Sequence, residues 1–283
     1  MDGSLELEKG KNQPNINYAH SMMKRTIKGL LHRAGFDIIR YGPHQESEKL
    51  RRILRDMTDR EIKILQSVRP YTLTDEERIA ALMNAVGYVV EQKVPGNIAE
   101  CGVWRGGSMM AVALALIYRG DVSRHLYLYD TFEGMSEPTK HDQSWDGLSA
   151  QSQLERDPVG TGVWCYSPIE EVRANLLSTG YPEEKVHFIR GKVEETLPSI
   201  RPDCLSLLRL DTDWYESTKH ELIHLFPLLD PRGLLIIDDY GYWKGARKAV
   251  DEYLAERKLS LYLHRVDFQC RVAVRTACAP DGK

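Results

Sequence analysis

From Pro95-Gly96 onward the chain alternates short apolar runs with amphipathic stretches. That pattern suits a parallel sheet covered by helices on both faces, because strands buried on both sides read as near-continuous apolar runs and each parallel crossover needs a helix to return. The expected strands are Ile98–Gly102, Leu126–Asp130, Val186–Arg190, Leu205–Asp211 and Leu234–Asp238, with Ser260–Val266 and Cys270–Arg275 as a closing antiparallel pair. Helices fit at Ser108–Tyr118, Pro168–Ser178, Ser217–Leu228 and Lys244–Arg257, the second led by the capping pair Ser167 and Glu170. The fold class is α/β.

Ahead of this sheet domain, expected over residues 96–277, the pattern is helical. Thr74 and Glu77 read as a capping box before Ile79, Leu82, Met83 and Val86, predicting a helix to about Gln92. Met22 to Arg55 holds nine basic residues against three acidic ones, and Met23, Ile27, Leu30, Leu31 and Ala34 fall on one helical face. Such a helix docks on its own domain or on a second subunit, with contact to an anionic membrane surface as the alternative. Residues 21–95 are thus expected to form a helical extension, residues 1–20 a mobile tail, and the whole a homo-oligomer. Thr131 to Tyr166 is long, rich in Gly, Ser, Asp and aromatics, and follows the second strand at the edge where open α/β sheets bind ligands. It reads as a substrate lid, 131–166.

Composition narrows the function. The 283 residues carry 38 Lys and Arg against 41 Asp and Glu, a net charge of −3, which excludes a basic nucleic-acid binder. No apolar run approaches the ~18 residues of a membrane span and the N-terminus lacks a secretory apolar core, so a cytoplasmic location is expected. Five scattered cysteines without CxxC spacing read as reduced thiols rather than a disulfide or zinc framework.

Three strand ends carry the chemistry. Glu100-Cys101-Gly102-Val103-Trp104-Arg105-Gly106-Gly107-Ser108 ends the first strand and opens a helix. It matches neither GxGxxG nor GxxxxGK[ST], which disfavours a dinucleotide fold and a P-loop. An acidic residue there suits an ammonium group, and the helix N-terminus suits a carboxylate. Asp130 ends the second strand, where a carboxylate can accept from both hydroxyls of a ribose. S-adenosylmethionine meets both conditions; the competing readings are a structural turn at Glu100 and an aspartate that caps the next element at Asp130. Third, Asp211 and Asp213 end one strand, and Asp238 and Asp239 the next. Four carboxylates at adjacent strand ends repel one another unless a cation sits among them, and all-oxygen donors point to Mg²⁺, with Mn²⁺ or Ca²⁺ as alternatives. Of Asp211 and Asp213, one can serve the metal and the other the substrate as a base. His220 and His224 at i, i+4 read as packing, as do Tyr127 and Tyr129; Trp104, Trp214, His141 and Asp142 are secondary candidates for lining the acceptor pocket.

With these motifs stand Tyr71-Thr72-Leu73-Thr74 with Glu77-Arg78-Ile79, Tyr129-Asp130-Thr131-Phe132-Glu133-Gly134-Met135, Gly191 with Glu195-Thr196-Leu197-Pro198, LDTDWYEST, and IIDDYG with Gly245-Ala246 and Ala249-Val250. From about Tyr71 to Arg275 the chain resembles the macrocin O-methyltransferase family. The resemblance implies the class I methyltransferase fold, Rossmann-like, with a seven-stranded mostly parallel sheet. It also implies S-adenosylmethionine- and Mg²⁺-dependent methylation of a sugar hydroxyl, with a glycoside or nucleotide sugar as acceptor. Carried over, Asp211, Asp238 and Asp239 would hold the metal and Asp213 would be the general base. Glu100, Gly102 and Ser108 would meet the methionine part, Asp130 the ribose, and the turn at Gly191 and Lys192 the adenine. Catechol methyltransferases use a lysine base near the first metal aspartate; here none precedes Lys219, which favours a sugar diol over a catechol or other non-sugar diol. A Mg²⁺ phosphohydrolase is disfavoured by the expectation that no Lys or Arg stands near DTDW or IIDDY, and a non-catalytic role in a glycan-assembly complex by the retention of all four aspartates.

Overall fold

The computed structural model describes residues 54–156, 165–197 and 199–276. The tail, most of the basic segment, residues 157–164 of the expected lid, and Cys278 lie outside the described residues.

Seven strands form one sheet in the order β3-β2-β1-β4-β5-β7-β6. They are β1 Asn97–Cys101, β2 Leu126–Asp130, β3 Val186–Arg190, β4 Leu205–Leu210, β5 Leu229–Ile237, β6 His264–Arg265 and β7 Arg271–Val274. The first five run parallel, while β7 is antiparallel to β5 and to β6. The closing hairpin was expected, but its first strand shrinks to two residues. β5 starts earlier than expected: Leu229 already pairs with Leu205, and the ladder shifts register before Leu234 pairs with Leu207. Asp230-Pro231-Arg232-Gly233 reads as a turn, and Asp230 does accept the Arg232 N–H at 2.9 Å, yet the loop is absorbed as a bulge inside one strand.

Successive residues of each strand face opposite layers. Ile98, Leu126, Leu128, Leu207, Leu234 and Ile236 pack beneath helices Asp59–Val68, Glu76–Glu91, Gly107–Tyr118 and Ile169–Leu177. Ala99, Cys101, Tyr129, Leu208, Leu210, Leu235 and Ile237 face helices Tyr215–His224 and Lys244–Glu256. The helices ahead of β1 therefore share a core with the sheet. Helix Glu76–Glu91 begins one residue later than its expected cap: Asp75, not Thr74, accepts the Arg78 N–H at 3.1 Å. Likewise Ser167 bonds Glu171 rather than closing a box with Glu170, and Pro168 occupies the cap. The expected lid carries a helix of its own, Ala150–Arg156.

Among the described residues no helix is long and apolar enough to cross a membrane. The strand order reverses between β1 and β4, and the carboxyl ends of these strands open the crevice where such sheets bind ligands.

Candidate active site

The crevice is a cavity of about 470 Å³. Gly102, Ser108, Asp130, Gly191, Lys192, Asp211, Asp213, Asp238 and Asp239, nine of the ten site residues expected from sequence, line it together. Strand ends brought side by side by the ladder explain this: Cys101 pairs with both Tyr129 and Leu210, and Leu210 with Ile237. Glu100 is the exception. It points into the layer beneath helix Glu76–Glu91, 1% exposed, and opposes Arg209 across the β1–β4 ladder.

Arg209 organises this layer. Its guanidinium donates to Glu100 (2.5 Å), Asp211 (2.7 Å), Asp238 (2.7 Å) and the Thr74 hydroxyl (3.0 Å). Arg78 donates to the other oxygen of Asp238, and its Nε lies 3.4 Å from Asp267 and 3.6 Å from Asp75. The expectation that no basic side chain stands beside the aspartates is thus overturned. Both guanidiniums are consumed by carboxylates, so they neutralise the cluster instead of offering a phosphate clamp. An arginine inside LSLLRL, where four of the other five residues are leucine, is the signal that would have found Arg209, since a buried charge requires a partner. Arg78 carries no comparable signal; only the fold brings it across 160 residues to Asp238.

Two arginines do not balance the cluster. Burial and the neighbouring aspartates push Asp211 and Asp239 well above the ordinary carboxylate range. Asp238 is lowered because Arg209 and Arg78 together outweigh its burial. Burial pushes Asp213 up to about 7, and a side-chain hydrogen bond joins it to Asp239, an arrangement of two carboxyls that needs a proton or a cation between them. Asp211, Asp238 and Asp239 each offer an oxygen within 4.8 Å of the others. Glu100 is also raised to about 7, since burial exceeds the pull of Arg209; its Oε2 is buried without a hydrogen-bond partner.

Asp130 accepts from the backbone N–H of Val103 (2.6 Å), Trp104 (3.2 Å) and Phe132 (2.7 Å), tying the ends of β1 and β2 together. The turn at Gly191 is fastened to the same point, its N–H donating to the Asp130 carbonyl at 3.0 Å. Three non-glycine residues past these strand ends take left-handed backbone conformations: Trp104 (φ 47°), Phe132 (φ 54°) and Asp213 (φ 68°). Strain of ~1–3 kcal/mol each persists only where the surroundings enforce it; Trp104 and Asp213 line the cavity, while Phe132 is buried in the core beside it.

Gly102 has a packing role as well as its place at the cavity. It sits at φ +82°, and a Cβ there would lie 2.0 Å from the Asp211 carbonyl oxygen. Gly102→Ala is expected to cost about 3 kcal/mol or more, from left-handed strain plus displacement of the Asp211 backbone. Urea unfolding measures it; a loss below 1 kcal/mol would show that the two turns are not in close apposition.

Of the secondary candidates, Trp104 lines the cavity. Trp214 is 1% exposed, meets Trp243 edge to face at 5.0 Å, and donates to the Ser136 carbonyl at 3.0 Å. Asp142 is buried and accepts from Thr139 N (2.6 Å) and Tyr215 N (2.8 Å), pinning the expected lid to the start of helix Tyr215–His224. His141 stands over Tyr215. Lys219, the first lysine after Asp211, bonds Tyr215, Glu252 and Glu256.

The family model of the macrocin O-methyltransferases (TylF) matches residues 31–275, so the match begins well ahead of Tyr71 and takes in part of the basic segment. The chain is 35% identical over 197 residues to the 8-demethyl-8-(2,3-dimethoxy-alpha-L-rhamnosyl)-tetracenomycin-C 4'-O-methyltransferase of Streptomyces olivaceus, covering 70% of this chain and 72% of that one. It is 30% identical over 200 residues to the mycinamicin III 3''-O-methyltransferase of Micromonospora griseorubida, covering 70% and 76%. The structure of the O-methyltransferase NovP superposes with a TM-score of 0.64 at 31% identity, covering 73% of this chain and 83% of that chain. Sequence motifs, sheet order and the crevice therefore agree: this chain belongs to the macrocin O-methyltransferase family and has the class I methyltransferase fold.

Proposed function

We propose that the protein transfers the methyl group of S-adenosylmethionine to a hydroxyl of a sugar or glycoside, aided by Mg²⁺ held by Asp211, Asp238 and Asp239. The observation that carries this reading is the convergence of three carboxylates within 4.8 Å of one another, with Asp213 beside them, in the cavity that also presents Gly102, Ser108 and Asp130.

The residues fit both groups. Oxygen-only donors suit a hard divalent cation, and the excess of carboxylates over Arg78 and Arg209 leaves negative charge for it to neutralise. A cavity of about 470 Å³ holds a nucleoside-sized ligand. Asp130 lines the cavity at the end of β2, where the long 3.5 Å bond from the Thr131 hydroxyl is the one a ribose hydroxyl could replace. When bound, the cation supplies Lewis acidity toward neighbouring hydroxyls and the cofactor an electrophilic sulfonium methyl.

The chain's own residues do the rest. Asp213 takes the proton from the acceptor hydroxyl at its carboxylate, which lines the same cavity as Gly102 and Ser108. Trp104, Tyr242 and Trp243 wall the cavity. Alignment of two reactants in one site can supply ~7–11 kcal/mol of the barrier. Lys219 is engaged with Glu252 and Glu256, which supports an aspartate base and a sugar-type diol over the lysine-based catechol chemistry.

The test is incubation of the protein with S-adenosylmethionine, Mg²⁺ and the acceptors named for its relatives, mycinamicin III and the dimethoxyrhamnosyl tetracenomycin, read by mass spectrometry. A product 14 mass units heavier, lost with chelator, supports the reading; absence of S-adenosylmethionine binding by calorimetry would sink it. Turnover is also expected to climb with pH and level off at a midpoint no higher than about 7, because Asp213 must be ionised and a cation on its neighbours favours the anion. A rate that falls as pH rises from 5 to 7 would remove Asp213 from the role of base.

A further inference from the structure

One buried acid plays no part in this scheme. Glu221 lies in helix Tyr215–His224 with 0% exposure, its Oε1 accepts from the Thr212 hydroxyl at 2.9 Å, and the buried Cys101 thiol stands beside its carboxyl. Burial pushes its carboxyl far above the ordinary range. Thr212 is the residue between Asp211 and Asp213, and the turn it belongs to is an improbable one. Asp213 is held left-handed at φ 68°, the Asp211 N–H is bonded to Cys101, and the Trp214 N–H folds back onto the Thr212 carbonyl at 2.8 Å. The backbone bonds fix the two ends of the turn. The bond from Thr212 to Glu221 anchors its middle, from below, to the helix that the turn initiates.

We propose that Thr212 and Glu221 form a positioning pair that holds the Asp211–Asp213 turn in the geometry that lets Asp211 share a divalent cation with Asp238 and Asp239. This rests on the cation reading given above. Glu221 is fully buried outside the cavity and acts through the turn; Thr212 lines the cavity, and its bond to Glu221 is what ties it to the helix. Side chains that orient metal ligands from behind typically change metal affinity by about 10–100-fold when removed.

The experiment is a Mn²⁺ titration of the full chain followed by electron paramagnetic resonance, with urea unfolding and S-adenosylmethionine binding measured in parallel. Thr212→Val and Glu221→Leu are each expected to weaken Mn²⁺ binding about tenfold or more, and the double variant no further than the weaker single one, since both cut the same link. Thr212→Ser and Glu221→Gln keep a donor and an acceptor in place and are expected to stay within about twofold of the parent. S-adenosylmethionine affinity is expected to be unchanged in Glu221→Leu and Glu221→Gln, whose side chain lies outside the cavity lining. Full Mn²⁺ affinity in Thr212→Val, multiplying losses in the double variant, or a loss in Glu221→Gln equal to that in Glu221→Leu would each overturn the pairing while leaving the cation site standing. Thr212→Val, at a partly exposed position, keeps the test usable if Glu221→Leu does not fold. If the parent chain itself holds no Mn²⁺, the cation reading falls and this inference with it.

Discussion

Asp213→Asn is expected to lower kcat by about 10²–10⁴-fold, the usual worth of a positioned general base, while the protein still binds S-adenosylmethionine. Asparagine keeps the shape and a hydrogen bond to Asp239 but cannot take the proton. The same change is expected to stabilise the cation-free fold at pH 8. In the folded chain burial, Asp211 and Asp238 raise the Asp213 carboxyl to about 7, whereas unfolding releases it to an ordinary carboxylate. A group raised on folding contributes stability that is present in acid and lost as pH rises through its folded value. The ionised aspartate is therefore a burden above about pH 7, and the variant's advantage in urea midpoint should shrink as pH falls toward 5. Opposite movements of activity and stability in one variant would separate a catalytic role from a structural one. A variant with most of its turnover intact would mean that another group takes the proton.

The largest stability loss is expected at Arg209. Arg209→Met keeps most of the volume but leaves Glu100, Asp211 and Asp238 facing one another in a layer where Glu100 and Asp238 are only 1% and 3% exposed. Removing one partner of a buried ion cluster typically costs about 3–5 kcal/mol, because the stranded charges stay buried. Urea unfolding at pH 8 would register it, and the loss should be smaller at pH 5, where Glu100, raised to about 7, and Asp211 can take up protons instead. A change below 1 kcal/mol at both pH values would show that the carboxylates are neutralised by something other than this guanidinium.

Strands whose burial is uniform were legible from the residues alone. β2 and β3 begin and end where the apolar runs do, and the four aspartates meet because strand ends of parallel neighbours must meet. What escaped was set by tertiary contact. Thr74 looks like a helix cap, yet its hydroxyl is used by Arg209 and lies 3.4 Å from Ser108, and Asp75 takes the cap. Leu229–Gly233, unassigned between the expected helix and strand, belongs to a strand with a bulge, because Leu205 on β4 offers it a ladder. Glu100 looks like a ligand group at the crevice, but alternation along β1 turns it into the layer below, opposite Arg209. The sharper error concerned charge. Four clustered carboxylates do call for a cation, and the fold answers first with two arginines, one of them drawn from a distant helix.

That long reach has a consequence for how the protein comes into being. Arg78 bonds residues 160 and 191 positions further along the chain, and Arg209 closes a span of 109 back to Glu100. Loops this long are the slowest to close, since their entropy is spent before any contact rewards it. A chain growing from the ribosome can assemble β1 to β3 early, but Gln269, which shares the Arg78 guanidinium with Asp238, follows Arg78 by 191 residues. The crevice is thus completed late: until the closing hairpin folds, Arg78 lacks Asp267 and Gln269, and a ligand that binds only the complete site would then draw folding forward.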